Sequence, residues 1–205
     1  MAAIMAHEVR TPLGILRSSA QLIERQPSLD LKGRELTAYI KSETERLNKL
    51  VTTLLECARP RPPDFRLHDV HDIVRHVLEL IRSNADKKGI RVETDLAASS
   101  SLLACDREQM IQVFLNLIIN AIHFASEGGH IRIATRNSGG RLVASVADDG
   151  PGIPRDQRQR VFDPFYTKRE GGIGLGLTIV QQIVRGHGGE IWITDVPWGG
   201  ASFNV

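Results

Sequence analysis

Apolar residues recur at alternating spacings of four and three through the first part of the chain. One set precedes Gln26-Pro27-Ser28, and a second begins after Gly33 and ends at Ala58. This is the periodicity of helices that bury one narrow stripe. The sequence therefore predicts two helices joined by a short loop into an antiparallel hairpin. The first set is Val9, Leu13, Leu16, Ala20 and Ile23, and the second is Ile40, Thr44, Leu47, Val51, Leu54 and Ala58.

Each helix of this hairpin has an apolar stripe that no third helix covers. We therefore expect the hairpin to pair with a second copy of itself, which gives a four-helix bundle in a homodimer. Pro12 lies inside the first helix. Its ring removes the hydrogen bond that the Glu8 carbonyl would accept, so a local kink beside Glu8 is expected.

The character of the sequence changes at Arg59-Pro60-Arg61-Pro62-Pro63. Three prolines in four positions cannot continue a helix and favour an extended spacer. We therefore predict a helical hairpin domain over residues 1–59, a linker over residues 60–67 and a second domain over residues 68–205.

The second domain alternates helical periodicity with short β-like runs. Gly139-Gly140 marks a hairpin turn between two of the strands, and Gly199-Gly200 precedes the last one. This mixture predicts an α/β sandwich whose mixed sheet is covered by helices on one face. The predicted helices are residues 71–87, 108–124 and 175–185, and the predicted strands are 90–94, 131–135, 142–147, 190–194 and 201–205.

Composition and charge exclude several classes of protein. The 205 residues are 41% hydrophobic and 24% charged, which is ordinary for a globular chain. The net charge is +2 with interspersed signs, so no basic stripe indicates nucleic acid binding. No apolar run is long enough to span a bilayer, so we expect no membrane contact from this part of the protein. Cys57 and Cys105 are too few and too far apart for a disulfide framework or a metal site, and we expect two buried thiols.

Two polar pairs lie on predicted helices. His7 points away from the apolar stripe, beside Glu8, and Thr11 shares its face one turn later. An exposed imidazole next to a carboxylate can be a nucleophile with its base, although an isolated pair of this kind is more often an ordinary surface pair. Asn116 and Asn120 share one face of an otherwise apolar helix. Two buried amides need partners, which could be core groups or a nucleotide phosphate with Mg²⁺.

Two glycine-rich segments follow. Asp148 stands at the end of a predicted strand, before Gly150 and Gly152. A carboxylate there could accept a hydrogen bond from an exocyclic amine such as that of adenine, or the segment could be a tight surface turn. Glycines from Gly172 to Gly176 lead into a helix, an arrangement that places phosphate on free N–H groups. The spacing is neither the dinucleotide-binding fingerprint nor the P-loop.

Taken together, the order and spacing of these motifs resemble the transmitter core of a two-component sensor histidine kinase, over nearly the whole chain. The short segment between Phe165 and Gly172 is similar to the nitrogen-regulator branch of that family, whose ATP lids are short. The segments that resemble the family's motifs are residues 7–12 (H box), 116–120 (N box), 148–153 (G1 box), 161–166 (F box), 172–177 (G2 box) and 199–203 (last glycine box).

The resemblance implies a hairpin followed by a GHKL-type (Bergerat) ATPase fold that binds ATP and Mg²⁺. It implies that His7 is the phosphoacceptor, that Glu8 takes or orients its proton, and that Thr11 positions water for dephosphorylating a response regulator. Asp148 would bind the adenine amino group and Asn120 would hold Mg²⁺. The remaining residues implied in nucleotide binding are Asn116, Gly150, Gly152, Ile153, Lys168, Gly172, Gly174, Leu175, Gly176, Leu177 and Ser202.

Three positions depart from the family pattern. His123 stands where many relatives carry a basic residue, Asp149 replaces a frequent asparagine, and Ile173 replaces a frequent threonine. None of them is His7 or Asp148, so we expect activity to survive.

Further expectations concern the whole protein and its partners. Sensor or transmembrane segments are expected before residue 1 of the intact protein, with this part in the cytoplasm. The partners implied are a second copy and a response regulator receiver domain. Two alternatives stay open from the sequence: an ATPase of the same superfamily without histidine phosphotransfer, and an ATP-binding dimeric scaffold.

Overall fold

The structure, a computed structural model, describes residues 2–26, 29–58, 61–169 and 172–205. Side chains are described for these residues except 2–11, 49 and 53–58. The chain divides into two compact units, Met1–Arg61 and Pro62–Val205. The division falls in the proline-rich stretch, and the last two residues of the predicted linker, Arg66 and Leu67, already belong to a strand.

The first unit consists of two helices, α1 (Ala2–Glu24) and α2 (Leu31–Ala58). Ion pairs join Arg17 to Glu45 and Glu24 to Lys41. The partner number falls as the first number rises, so the helices run antiparallel, as predicted. Helix α2 begins two residues earlier than expected because Asp30 accepts a hydrogen bond from the Gly33 amide at 2.7 Å and caps it.

The apolar stripe of each helix is divided between an inner and an outer face. Leu13 and Ala20, seven residues apart, are buried in the hairpin, and Thr37 and Thr44 are buried on α2. Both threonine hydroxyls donate to backbone carbonyls of their own helix, which satisfies them. Other apolar residues are exposed on the single chain: Ile15, Leu16, Leu22, Ile23, Leu36, Tyr39 and Ile40. Helix α1 continues through Pro12 as one element.

The second unit is a two-layer α/β sandwich, as predicted. Its helices are α3 (Val70–Lys87), α4 (Arg107–Phe124) and α5 (Gly176–Gly186). Its strands are β1 (Arg66–Asp69), β2 (Arg91–Leu96), β3 (Leu102–Cys105), β4 (His130–Ser138), β5 (Arg141–Asp148), β6 (Trp192–Asp195) and β7 (Ala201–Asn204). Two short 3₁₀ turns, Arg155–Gln157 and Arg160–Phe162, lie between β5 and α5.

Five of the strands form the main sheet in the order β2-β4-β5-β7-β6. Strands β2 and β4 are parallel and the other pairs are antiparallel. Side chains paired across neighbouring strands share a face, so the register places a row of core residues under the helices. This row is Ile133, Val146, Phe203 and Ile193.

Two helices of this unit begin at buried or half-buried aspartates. Asp69 accepts from the His71 amide at 2.8 Å and caps α3. Asp106 accepts from the amides of Glu108 and Gln109, both at 3.1 Å, and caps α4. Capping satisfies amides that have no partner within the helix.

Strands β1 and β3 form a separate antiparallel pair that the sequence analysis did not predict. Each has four residues and both carry exposed side chains, so neither shows clear alternation. Of the two cysteines, Cys105 is buried as expected, and the side chain of Cys57 lies outside the described residues. Among the described residues, no helix has the length and apolarity needed to cross a membrane.

Candidate functional site

A buried carboxylate lies at the end of β5. Asp148 is 5% exposed, and its Oδ1 accepts from the Gly150 amide at 3.0 Å. Burial raises the pKa of Asp148 above its ordinary value; hydrogen bonds from the Gly150 and Ala201 amides oppose this rise, and the Asp149 charge adds to it. A carboxylate held in this way has remaining acceptor capacity that a polar N–H donor would satisfy.

Close backbone packing explains three glycines around Asp148. A Cβ at Gly150 would lie 2.5 Å from the Phe124 carbonyl oxygen, and one at Gly200 would overlap the Asp148 carbonyl oxygen. Gly152 has φ +71°, and its Cβ would lie 3.0 Å from the Gly200 oxygen. These positions need glycine even before a ligand is considered.

Helix α4 carries the two asparagines along one face. Both are half-buried, and the Asn116 amide donates to the Gln112 carbonyl at 2.9 Å. The other end of that amide faces α5, since a Cβ at Gly176 would lie 3.1 Å from Asn116 Oδ1. Helix α4 thus contacts two segments: the glycine turn (residues 172–176) at Asn116, and the Asp148 loop (residues 148–152) at Phe124. Asn116 and Phe124 are about 12 Å apart along the helix axis.

The glycine turn is tied to the segment before it. Gly174 has φ +72°, and a Cβ there would lie 2.5 Å from the Phe165 carbonyl carbon. Phe165 donates its amide to the Gly174 carbonyl at 2.9 Å, and Thr178 Oγ1 donates to the Phe162 carbonyl at 2.9 Å. No described side chain caps the start of α5. Its first N–H groups can therefore bind an anion.

The far end of α4 is electropositive. His123 is exposed there, and its pKa is lowered by partial burial and by the positive charges of Arg169 and Lys88. Lys168, beside Arg169, is also exposed. Lys88 and Arg169 thus lie close enough to the C-terminal end of α4 to act on His123.

Contacts join some of the predicted nucleotide residues, since Asn116 lies beside Gly176 and Gly150 lies beside Asp148. Leu175 is 1% exposed, so only its backbone can face a ligand. Ser202 pairs with Ala147, and alternation along β5 therefore puts its side chain on the opposite face from Asp148. The role of Ser202 in nucleotide binding stays a prediction. Ile153, Gly172 and Leu177 are half-buried.

The catalytic residues predicted on the hairpin are His7, Glu8 and Thr11. Their backbone belongs to α1, but their side chains lie outside the described residues. Their roles therefore stay predictions.

Sequence reasoning missed the contacts that two residues, Asp149 and Ala201, make around the site. Asp149 accepts from the Ser126 amide at 3.2 Å and the His130 amide at 2.9 Å, which binds the α4–β4 turn. The Ala201 amide supports the Asp148 carboxylate. No sequence pattern could have shown these contacts, because each joins residues far apart in the chain.

No group of three or more His, Cys, Asp or Glu side chains that could hold a metal occurs among the described residues. Amide oxygens from α4 are nevertheless suitable Mg²⁺ ligands, since Mg²⁺ is commonly held by one or two protein oxygens, waters and substrate phosphates.

Two family descriptions match the chain. Residues 1–63 match the His Kinase A (phospho-acceptor) domain. Residues 105–205 match the histidine kinase-, DNA gyrase B-, and HSP90-like ATPase.

Full-length relatives and solved structures are similar over most of the chain. Sensor histidine kinase ZraS of Klebsiella oxytoca is 34% identical over 204 residues, covering 99% of this chain and 44% of ZraS. The structure of full-length ShkA in complex with AMPPNP matches with a TM-score of 0.87 and 29% identity, over 99% of this chain and 44% of ShkA. The chain thus spans less than half the length of both proteins.

A third protein, the histidine kinase ThkA, matches both as a catalytic domain and in a complex. Its catalytic domain is 30% identical with a TM-score of 0.64, covering 69% of this chain and 93% of that domain. ThkA in complex with the response regulator protein TrrA gives a TM-score of 0.72 at 27% identity, covering 100% of this chain and 59% of ThkA. From the buried aspartate, the asparagine face, the glycine turn and these matches together, the chain belongs to the sensor histidine kinase family.

Proposed function

We propose that this chain is the transmitter core of a kinase that transfers the γ-phosphoryl group of ATP to His7 and then to an aspartate of a response regulator. The observation that carries the proposal is the arrangement around α4. Asn116 and Asn120 are half-buried on one face of the helix. The middle of the helix meets Gly176 at Asn116, and its C-terminal end meets the Asp148 loop at Gly150.

Each part of the cleft suits one part of ATP. The Asp148 carboxylate would accept from the adenine amino group, close to the backbone of Gly150 and Gly152. The phosphates would lie on the N–H groups of residues 174–177, where the positive end of the α5 dipole favours anions. Lys168, exposed beside the turn, would neutralise phosphate charge.

The Asn120 oxygen would hold Mg²⁺, with Asn116 beside it. When bound, Mg²⁺ neutralises charge on the phosphate oxygens during transfer. Asn116 Nδ2 is already engaged by the Gln112 carbonyl, which orients the amide so that its oxygen is the atom presented to the cleft.

At the acceptor, a ring nitrogen of His7 would form a bond to the γ-phosphorus. The bond from that phosphorus to the bridging oxygen breaks, and ADP leaves with the electron pair. Glu8 would accept or orient the imidazole proton. Phosphoryl transfer depends mainly on positioning and charge stabilisation, so few further groups are needed at the acceptor.

A second copy and a response regulator are the proposed partners. The apolar residues left exposed on the hairpin, among them Leu16, Leu22 and Ile23, would be covered in a homodimer. The regulator would receive the phosphoryl group on a receiver aspartate. Thr11, one turn beyond His7, would position the water that hydrolyses the aspartyl phosphate of the regulator, releasing inorganic phosphate.

The proposal is tested with γ-labelled ATP and Mg²⁺ on the wild type and on His7→Gln. We expect label that is stable in alkali and labile in acid on the wild type and none on the variant. A receiver domain added to the labelled protein should accept the phosphoryl group and so remove the label from His7.

Each unexpected result refutes a different part. Label that survives in His7→Gln would exclude His7 as the acceptor. Phosphate release without any phosphoprotein would favour an ATPase. Absence of nucleotide binding by the wild type would refute the proposed ATP site. Thr11→Ala should keep the label and lose only the dephosphorylation of a phosphorylated receiver.

A further inference from the structure

Lys88 is bound to the end of α4. It follows α3, and its Nζ donates to the carbonyls of Ile122 at 2.8 Å, His123 at 2.7 Å and Ala125 at 2.9 Å. An ammonium group has three N–H donors, so this side chain is saturated by carbonyls at one helix end. A cation in this position satisfies carbonyls that lack partners within the helix and complements the helix dipole.

Asp149 binds both sides of the turn between α4 and β4. Its two carboxylate oxygens accept from the Ser126 and His130 amides. Within the turn, Gly128 donates to the Lys88 carbonyl and Gly129 donates to the Ser126 carbonyl, both at 3.0 Å. The connection from α4 to β4 is therefore held by the Lys88 cation at the end of α4 and by the Asp149 carboxylate, which binds an amide on each side of the turn.

This turn lies between the two halves of the candidate site. Asn120 is one helical turn before Phe124, whose carbonyl oxygen packs against Gly150. Asp149 follows Asp148 directly in sequence. A shift of the α4 end would therefore change the distance between the Asn120 oxygen and the Asp148 carboxylate.

We propose that Lys88 and Asp149 are positioning residues that hold the phosphate and Mg²⁺ half of the site at a set distance from the adenine half. The inference rests on the proposed ATP site. Neither side chain touches the ligand in this scheme. Lys88 acts by holding α4, and Asp149 acts by holding the turn that leads to β4.

The test compares Lys88→Met with Lys87→Met. Lys87 is exposed on the last turn of α3, so its variant removes a neighbouring cation without touching α4. AMPPNP affinity is measured by calorimetry with and without Mg²⁺. We expect Lys88→Met to reduce the Mg²⁺-dependent gain in affinity on the order of 10-fold, the usual effect of removing a group that orients a metal ligand. Lys87→Met should match the wild type.

A second readout needs no nucleotide. Amide hydrogen exchange of Ser126 and His130 should accelerate in Lys88→Met and stay unchanged in Lys87→Met, because these amides lie in the held turn. If Lys88→Met does not fold, Lys88→Arg is measured in the same way. It keeps the charge, but its planar donors cannot reproduce three bonds to one helix end.

The outcomes separate a positioning role of Lys88 in the ATP site from a purely structural role. A Lys88 variant with lower thermal stability but unchanged Mg²⁺-dependent affinity would overturn the positioning role and leave a structural one. Unchanged amide exchange at Ser126 and His130 would show that Lys88 does not hold the α4–β4 turn, and would overturn this clamp. Absence of AMPPNP binding by the wild type would overturn the proposed function, and with it the role of Lys88 in that function, while the exchange experiment would still test the clamp.

Discussion

Gly199 and Gly200 form a matched pair for testing why the last glycine motif is needed. Both have left-handed backbones, with φ +88° and +85°. A Cβ on Gly199 would meet nothing within 4 Å, whereas one on Gly200 would overlap the Asp148 carbonyl oxygen and lie 2.9 Å from the Gly150 amide nitrogen. The two alanine variants therefore share the backbone strain and differ in the steric clash.

The expected losses in the free energy of unfolding follow from the backbone strain and the steric clash. A non-glycine residue in the left-handed region costs about 1–2 kcal/mol, and this is the whole effect expected for Gly199→Ala. Forcing an extra methyl group against backbone adds about 1–3 kcal/mol. Moving β7 away from β5 would also weaken the Ala201 hydrogen bond to the Asp148 carboxylate, worth about 1.5–3 kcal/mol for a charged acceptor. Gly200→Ala should therefore lose at least about 2 kcal/mol more than Gly199→Ala.

Urea unfolding of the full chain measures this difference. The two tryptophans of the chain, Trp192 and Trp198, both lie in the second unit, so their fluorescence reports that unit and not the hairpin. AMPPNP affinity should fall in Gly200→Ala and be retained in Gly199→Ala. Losses of stability that agree within about 0.5 kcal/mol, the scatter of ordinary surface substitutions, would refute the steric explanation.

Three further predictions concern the aspartates. Asp148→Asn should abolish AMPPNP binding. At neutral pH the variant should also unfold at a higher urea concentration than the wild type, because it removes a charge whose burial is unfavourable. A lower stability of the variant at neutral pH would contradict the burial argument. The folded-state pKa of Asp148 is raised, so the penalty is absent below the unfolded carboxyl range near pH 4, grows as pH rises, and is complete above the folded pKa. The stability difference between Asp148→Asn and wild type should therefore shrink on acidification, and a difference that grows in acid would reverse the assigned sign. Asp106→Ala should lose about 2–4 kcal/mol, since it removes the α4 cap and leaves the Asp64 amide without the carboxylate 3.0 Å away; Asp106→Asn should lose less, and equal losses would argue against capping.

Local patterns were sufficient for much of the fold. Helix periodicity, the proline-rich break and the glycine turns predicted the hairpin, the α/β sandwich and all five strands of the main sheet to within a few residues. This works because a helix or strand that buries one face repeats its apolar residues at its own period. The short β1–β3 pair escaped this logic, since its strands show no alternation of buried and exposed residues and its partners lie more than thirty positions apart.

The residues of the candidate site likewise fall into those that local sequence motifs indicate and those that only the tertiary structure shows. The sequence was enough to point to Asp148, the two asparagines and the glycine turn, because each is a local motif with a chemical role. The tertiary structure decided that Ser202 faces away from Asp148, since strand pairing determines which face a side chain takes. It also decided that Lys88 and Asp149 hold the α4–β4 turn. Such contacts join distant parts of the chain, and their energy depends on distances that arise only when the sheet and helices pack together.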